Sequence, residues 1–269
     1  MSALDRPVAR LRAQDLTLAY GETAVVDRLS LEVPTGRITS LVGPNGSGKS
    51  TLLKGLARLL QPAGGAAYLD DGPIHRMNTR HVAREVSVLA QRGEAPDGLT
   101  VRELLSYGRF PHRNFLGFAN RNDEQTIERA LDIAGVTHLA DRPIGGLSGG
   151  QRQLAWIAMT LAQDAPILLL DEPTTFLDMA HQLEVLDLLQ QLQVEHHRTI
   201  VLVLHDINLA ARYSHRLVAL HAGTIRYQGS PEEVMTPAML GDVFAVEASI
   251  LHDDVHNCPY CIPLRPLRD

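Results

Sequence analysis

The sequence predicts an α/β protein with a largely parallel sheet and a mostly helical segment inserted between its two sheet-forming halves. Two observations lead to this fold class. Short strand-like segments alternate with segments of helical periodicity, which is the pattern of a parallel sheet covered by helices. The middle of the chain instead has mainly helical patterns, over residues 101–107 and 124–139, with an irregular stretch over 108–122 between them.

The first ninety residues are predicted to be mainly strands. Residues 29–33 alternate cleanly between apolar and polar, and the turn signal Pro34-Thr35-Gly36 follows them. Beyond the turn, a glycine-rich segment separates a strand from a helix. The elements predicted here are strands over 11–18, 29–33, 38–42 and 86–90 and a helix over 51–57.

After the helical middle, the strand pattern returns. Residues 167–170 are four consecutive apolar residues, which is typical of a parallel strand buried on both faces. Gly229-Ser230-Pro231 then opens a final helical segment. Between these two points we expect a helix over 181–194, a strand over 199–204 and short strands near Leu217 and Tyr227.

The composition limits the classes of protein to be considered. The chain has 269 residues, a formal net charge of −6, 45% hydrophobic and 21% charged residues, and two cysteines. The acidic balance argues against a broad nucleic-acid surface. No apolar run approaches the roughly 20 residues of a membrane span, no signal peptide is expected, and two cysteines are too few for a disulfide framework. An intracellular protein is the expectation.

A phosphate-binding loop is the clearest motif. Residues 43–51 match G-x-x-x-x-G-K-[ST] in full, after a predicted strand and before a predicted helix. Glycines allow several backbone N–H groups to turn toward one phosphate, and the helix adds the positive end of its dipole. Lys49 can reach the outer phosphates and Ser50 can offer a hydroxyl to Mg²⁺. The loop residues predicted to bind the nucleotide are Gly43, Asn45, Gly46, Gly48, Lys49, Ser50 and Thr51.

Two acids follow the buried strand over 167–170, at the strand end where parallel sheets bind ligands. Asp171 is the expected partner of Mg²⁺, and Glu172 is placed to orient or deprotonate a water that attacks the γ-phosphate. Alone, the pair could be two ordinary solvated acids. Beside a complete phosphate-binding loop, the catalytic interpretation is favoured.

A second anion site is predicted at Leu147-Ser148-Gly149-Gly150-Gln151. Ser148 and Gln151 have the S-x-x-Q spacing of a capping box, which predicts that a helix begins here. The two glycines leave the start of that helix without side chains, and a capped helix start of this kind can bind a phosphate. The chain already has one phosphate loop for its own nucleotide. This second site is therefore interpreted as one that binds the nucleotide of another copy of the chain.

With these motifs in this order, the chain resembles the ATP-binding subunits of ABC transporters over nearly its whole length. Residues 43–51 resemble the Walker A loop, 167–172 Walker B with its catalytic glutamate, and 147–151 the family signature. Gln91 resembles the Q-loop glutamine, Asp178 the D-loop aspartate, His205 the switch histidine and Tyr20 the aromatic residue that stacks on adenine. The implied fold is a P-loop NTPase cassette with a RecA-like core, an antiparallel β subdomain and an inserted helical subdomain.

The resemblance also implies a mechanism. Two cassettes would form a head-to-tail homodimer with two ATP molecules between them, each lying between Lys49 of one copy and Ser148 of the other. Glu172 would be the general base, and His205 would hold the γ-phosphate and the water. Gln91 would sense the γ-phosphate and Mg²⁺. Mg²⁺ would be held by Ser50, Gln91 and Asp171, and the nucleotide also by Tyr20, Gly149, Gly150, Gln151 and Asp178.

The same resemblance implies a domain organisation and partners. A single ATPase domain over 1–269 would comprise a catalytic core at 1–91 and 166–230, a helical subdomain at 92–165 and a tail at 231–269. The helical subdomain would contact membrane-spanning permease subunits at the cytoplasmic face of the bacterial inner membrane. A substrate-binding protein would be an indirect partner of this chain. The candidate contact is the 108–122 segment with Phe110, Phe115 and Phe118, whose rings could instead fold back onto their own subdomain.

Several stretches resemble a narrower group, the ATPases of importers for ferric siderophores, haem and cobalamin. They are residues 108–112, 156–159, 174–182 and 205–210, and they are closest to the ferric-siderophore branch. Leu154, where that branch usually has Arg, is one departure. The predicted function is therefore hydrolysis of ATP to power import of a ferric siderophore.

Other kinds of ATPase share some of these motifs. A haem or cobalamin importer would have a similar cassette. A soluble ABC ATPase acting on nucleic acid or ribosomes would have two fused cassettes, a coiled coil or basic arms, whereas this chain has one phosphate loop and a net charge of −6. A small GTPase or kinase would leave residues 147–151 unexplained.

The tail has a cluster that the cassette does not need. His252, His256, Cys258 and Cys261 lie within ten residues, and the cysteines have the C-x₂-C spacing of a zinc or redox site. The alternative is a pair of reduced thiols in a short Pro-rich strand, which we expect more often for a single C-x₂-C.

Overall fold

The chain folds into two compact units. The computed structural model describes residues 9–90, 96, 98–113 and 122–267. The first unit comprises the chain up to Met77 and from His197 onward, and the second runs from Asn78 to His196. No helix within the described residues is long and apolar enough to span a bilayer.

The helices and strands follow in chain order. The first unit begins with β1 (Leu11–Tyr20), β2 (Thr23–Val33), β3 (Ile38–Val42), α1 (Lys49–Leu56), β4 (Gly64–Leu69) and β5 (Gly72–Pro73). The second unit contains α2 (Thr79–Glu85), β6 (Val86–Leu89), α3 (Val101–Gly108), α4 (Asp123–Ile133), α5 (Gly149–Ala162), β7 (Ile167–Asp171) and α6 (Met179–His196). The first unit then resumes with β8 (Thr199–Val203), α7 (Ile207–Tyr213), β9 (Arg216–His221), β10 (Thr224–Gly229), α8 (Pro231–Val234), α9 (Pro237–Phe244), β11 (Val246–Asp253) and β12 (Cys258–Pro266).

The first unit contains an antiparallel sheet and a mainly parallel one. The antiparallel strands have the order β2-β1-β4-β5, and the alternating side chains of β1 are buried on one face. In the other sheet the strands of this unit have the order β10-β9-β3-β8, with β3 parallel to β8 and β9. Every residue of β3 and β8 is buried, as expected for parallel strands covered on both faces. Leu41 pairs with Val203, so β3 and β8 end at the same edge.

The second unit combines a parallel strand pair with a helical cluster. Strands β6 and β7 pair in parallel, from Val86 beside Ile167 to Leu89 beside Leu170. Helices α3, α4 and α5 pack against one another. A buried ion pair joins their ends: the Arg109 guanidinium, just after α3, lies 2.9 Å from the carboxylate of Asp123 at the start of α4. The same guanidinium donates to the carbonyl of Ala162, the last residue of α5, at 2.7 Å.

Most predicted elements are confirmed, and the corrections have local causes. The strand-rich first ninety residues also contain helix α2, which sequence patterning missed because it is short and buries only Val82. Its start is fixed by Asn78, whose side chain accepts hydrogen bonds from the next turn. The helix predicted over 124–139 ends at Ile133, since Gly135 takes a positive φ of 67°.

The buried ion pair makes a testable contribution to stability. We expect Asp123→Asn to lower the free energy of unfolding by about 3 kcal/mol, because the buried Arg109 would keep its charge without a carboxylate. Denaturant unfolding of the two proteins measures the difference.

Glu124→Gln is the matched control, since Glu124 is the next residue and its carboxylate, paired with Arg102, is 66% exposed. A loss of less than about 1 kcal/mol is expected there. Equal losses in the two variants would contradict a special role for the buried pair.

Candidate functional site

The predicted phosphate loop lies between a buried strand and a helix in the first unit, as its motif requires. Strand β3 ends at Val42 and helix α1 begins at Lys49. The Lys49 ammonium donates to the carbonyl oxygens of Gly43 and Pro44 at 2.8 and 2.9 Å. The lysine is 5% exposed, so its charge is directed over the loop and not into solvent.

Glycine is required in this loop for two physical reasons. Gly43, Gly46 and Gly48 have φ angles of 144°, 77° and 100°, which other residues rarely adopt. A Cβ on Gly43 would also lie 2.2 Å from the carbonyl oxygen of Leu220. The loop therefore turns its backbone where no side chain could follow, while Asn45 and Gly46 stay exposed at its tip.

Neighbouring backbone holds the loop in place, and sequence reasoning missed these contacts. Gly223, in the turn between β9 and β10, donates from its N–H to the carbonyl of Ser47 at 3.1 Å. A Cβ on Gly223 would lie 2.4 Å from the carbonyl oxygen of Val25 in β2, and one on Gly48 would lie 3.1 Å from the same atom. No local sequence signal identifies Gly223, because its role depends on strands that are distant in the chain.

The donors of the loop fit a phosphate group. Helix α1 follows Gly48, a glycine that has no side chain to cap the helix. The hydroxyl of Ser47 is buried, and the described residues offer it no hydrogen-bond partner. A helix start, a buried hydroxyl and the Lys49 ammonium together form an environment that favours an anion.

Two further predicted residues belong to the same unit. His205 follows β8 and is exposed, at the edge where β3 runs into the phosphate loop. Asp206 caps helix α7 by accepting from the N–H groups of Asn208 and Leu209, which fixes the backbone next to His205. Tyr20 ends β1, and its side chain is 49% exposed.

The predicted acids lie at the end of β7 in the second unit. Asp171 is the last residue of the strand and is 4% exposed. Glu172 takes a left-handed φ of 54°, so the chain turns sharply after the strand. Its carboxylate accepts a hydrogen bond from the Thr175 hydroxyl at 3.0 Å. The strand is buried throughout, and the two acids lie at its carboxyl end.

The predicted capping box is confirmed at the start of α5. The Ser148 hydroxyl accepts from the Gln151 N–H at 3.3 Å, and the Gln151 side chain accepts from the Ser148 N–H at 3.2 Å.

Asp178 lies just before α6. Its carboxylate accepts a hydrogen bond from the backbone N–H of His181 at 2.9 Å and forms a second one with the His181 ring at 2.6 Å. These bonds hold the pKa of Asp178 below its ordinary value, and the same pairing raises the pKa of His181.

Part of the predicted site and of the predicted permease contact lies outside the described residues. Gln91, Phe115 and Phe118 are among these positions. Phe110 is described, and its ring is 70% exposed. The turn that carries it is held by Arg80 and Arg84, which both donate to the carbonyl of Pro111, at 2.8 and 2.9 Å.

The metal interpretation of the tail is wrong for the described residues, where no group of three or more His, Cys, Asp or Glu side chains could hold a metal ion. Cys258 and Cys261 are free, buried thiols in β12, paired in register with Asp253 and Ile250. Burial raises the pKa of both thiols, which keeps them protonated and unreactive. The tail is a β-hairpin, and its cysteines are small buried side chains.

Comparison with known proteins agrees with the geometry. The sequence model of the ABC transporter family matches residues 26–175, which include the phosphate loop, the capped helix and the two acids. The chain is 50% identical to the iron(3+)-hydroxamate import ATP-binding protein FhuC of Bacillus subtilis, over 94% of each chain. It is 51% identical to the petrobactin import ATP-binding protein FpuD of Bacillus anthracis, over 94% of this chain and 93% of that one.

Solved structures show the same fold. A metal-chelate type ABC transporter in an inward-facing conformation has a chain that superposes with a TM-score of 0.82 at 28% identity, covering 95% of this chain and 97% of that one. The dimeric cassette MJ0796 gives a TM-score of 0.73 at 28% identity, covering 82% and 98%. The chain therefore belongs to the ABC transporter family, in which it is an ATP-binding cassette with ATPase activity.

Proposed function

We propose that this chain hydrolyses ATP to power the import of a ferric siderophore across the bacterial inner membrane. The observation that carries the proposal is the near full-length identity of about half of all residues to FhuC and FpuD, whose names state import of iron(3+)-hydroxamate and petrobactin. The ferric enterobactin transport protein FepC of Escherichia coli is 45% identical over 96% of this chain. These relatives favour a ferric siderophore over haem or cobalamin as cargo.

In the proposed site the phosphate loop binds the triphosphate. The Lys49 ammonium, which lies over the loop carbonyls, moves onto the outer phosphates, and the N–H groups at the start of α1 receive the inner ones. Tyr20 stacks on the adenine, for which its exposed ring is suited. The loop residues assigned to the nucleotide are Gly43, Asn45, Gly46, Gly48, Lys49, Ser50 and Thr51.

Hydrolysis needs a base, a holder of the γ-phosphate and a metal ion. We assign the base to Glu172, because its carboxylate is positioned by Thr175 at the end of a rigid strand. His205 holds the γ-phosphate and the attacking water. The hydroxyl of Ser50, the carboxylate of Asp171 and the side chain of Gln91 are oxygen donors of the kind Mg²⁺ prefers. When bound, Mg²⁺ neutralises charge that develops on the phosphates.

The start of α5 is assigned to the nucleotide of a second copy. Ser148 and Gln151 fix the first turn, and Gly149 and Gly150 leave its backbone accessible to a phosphate. Asp178 belongs to the same contact. The dimeric structures of MJ0796, one of which contains ADP and Pi, support a homodimer that closes around two nucleotides.

Transport across a membrane requires subunits that span it. The import function of its relatives and its likeness to a metal-chelate transporter support an association with membrane-spanning permease subunits, at the cytoplasmic face. A substrate-binding protein would deliver the chelate to them. The exposed Phe110, on a turn held by Arg80 and Arg84, is the proposed point of contact with the permease.

Removing the loop lysine tests the phosphate site. We expect Lys49→Ala to weaken ATP binding by about tenfold to a hundredfold, because a charged hydrogen bond to phosphate is lost. Equilibrium binding of a fluorescent ATP analogue measures the change. Lys54→Ala is the control, since Lys54 is exposed on the same helix and should leave binding unchanged. Normal affinity in Lys49→Ala would contradict the proposed phosphate site.

Removing the proposed base separates binding from hydrolysis. Glu172→Gln should bind ATP with near-normal affinity, hydrolyse it about a hundredfold more slowly or worse, and accumulate an ATP-bound dimer. Phosphate release and size-exclusion chromatography with ATP provide the two measurements. Glu195→Gln, an exposed acid near the end of α6, is the control. If Glu172→Gln turned over ATP at the normal rate, the base would have to be another residue.

The cargo is tested by uptake in cells. A strain that lacks this chain should lose uptake of a radiolabelled ferric siderophore and regain it with the wild-type chain but not with Glu172→Gln. Haem and cobalamin uptake, measured in the same strain, should be unaffected. Loss of haem or cobalamin uptake with ferric-siderophore uptake intact would reassign the cargo.

A further inference from the structure

A short hydrogen-bonded pair fixes the side chain of His181 at the start of α6. The carboxylate oxygen Oδ1 of Asp178 accepts from the His181 backbone N–H at 2.9 Å and from its ring atom Nδ1 at 2.6 Å. Two bonds from one residue to one oxygen set both the backbone and the ring of His181. The other edge of the imidazole therefore has a defined position.

That other edge lies over the second glycine of α5. A Cβ on Gly150 would be 2.5 Å from His181 Cδ2 and 2.9 Å from Cγ. Gly150 is an ordinary helical residue without a positive φ, so space and not backbone conformation excludes a side chain there. Its neighbour Gly149 has nothing within 4 Å of a corresponding Cβ. A side chain is therefore excluded at Gly150 but not at Gly149, a difference that the sequence alone does not reveal.

We propose that His181 is a positioning residue that couples Asp178 to the first turn of α5. The imidazole bonds Asp178 through Nδ1 and packs on Gly150 with its Cδ2 edge, so the loop and the helix start move together. The proposal rests on the function proposed above, in which Asp178 and the turn that begins at Ser148 both serve the nucleotide of a second copy. His181 then keeps these two groups in register as that nucleotide is enclosed.

The electrostatic surroundings favour the cationic form of the ring. Asp178 acts on it through the hydrogen bond and through its charge, and Glu184, one turn further along α6, adds to the effect. On α5, the turn from Ser148 to Gln151 has no titratable side chain. The pKa of His181 is therefore raised. The ring is cationic below that pKa, and its attraction to the Asp178 carboxylate weakens as the pH rises through it.

A thermal-unfolding cycle without nucleotide tests the steric contact. Gly150→Ala should lower Tm by about 4 °C, because the new methyl group displaces the ring. In a His181→Ala background the same change should leave Tm unchanged or raise it, since Ala is the better helix former. Gly149→Ala is the matched control and should behave alike in both backgrounds. An equal effect of Gly150→Ala in the two backgrounds would overturn the contact.

A kinetic comparison on the full-length chain tests positioning. His181→Ala should reduce kcat for ATP hydrolysis severalfold with little change in KM, because the ATP held by the chain's own loop is not touched. His181→Asn keeps a donor near the place of Nδ1 and should recover part of kcat, but without the fall with rising pH expected of the wild type. Wild-type kcat in His181→Ala, or the wild-type pH profile in His181→Asn, would overturn the proposal.

The thermal cycle can fail independently of the proposed function. The thermal cycle contains no ATP, so it reports on the His181–Gly150 contact even if Lys49→Ala were to bind nucleotide normally. Should His181→Ala unfold, the contact is still tested in the wild-type background, where Gly150→Ala should lower Tm relative to Gly149→Ala; an equal Tm for the two glycine variants would overturn it.

Discussion

Two carbonyl groups come so close to the phosphate loop that only glycine fits opposite them. The carbonyl of Leu220 excludes a side chain at Gly43, and that of Val25 excludes one at Gly223 and crowds Gly48. These approaches lock the loop between β2, β9 and the turn before β10. The rest of the proposed chemistry depends on this constraint, because an anion site made of backbone N–H groups is only as well defined as the backbone itself.

The second unit also has a helix start that is held in place by its neighbours, but here side chains and not backbone carbonyls hold it. There the helix start at α5 is fixed by the capping box of Ser148 and Gln151, and its second glycine is covered by the ring of His181. Glycines leave the N-terminus of α1 in the first unit and of α5 in the second accessible, and groups close to each helix start hold its backbone. Each unit thus contains one of the two helix starts that we propose as anion-binding sites.

Sequence reasoning succeeded where the physical cause was local. The phosphate loop, the capping box and the buried strands are each set by residues within a few positions of one another, so motif and periodicity were sufficient. Gly223 and the Gly150–His181 contact were not predictable, because they depend on segments that approach only in the folded chain. The tail cysteines left zinc and reduced thiols as alternatives, with the thiols favoured. The structure supports the thiols, since both are free and buried in a hairpin and no metal-binding group is found among the described residues.

The buried guanidinium of Arg109 has a mechanical consequence. It ties together the end of α3, the start of α4 and the end of α5, and the exposed ring of Phe110 is the very next residue. A displacement of that ring by the proposed permease contact would therefore reach three helices through the hydrogen bonds of one buried guanidinium.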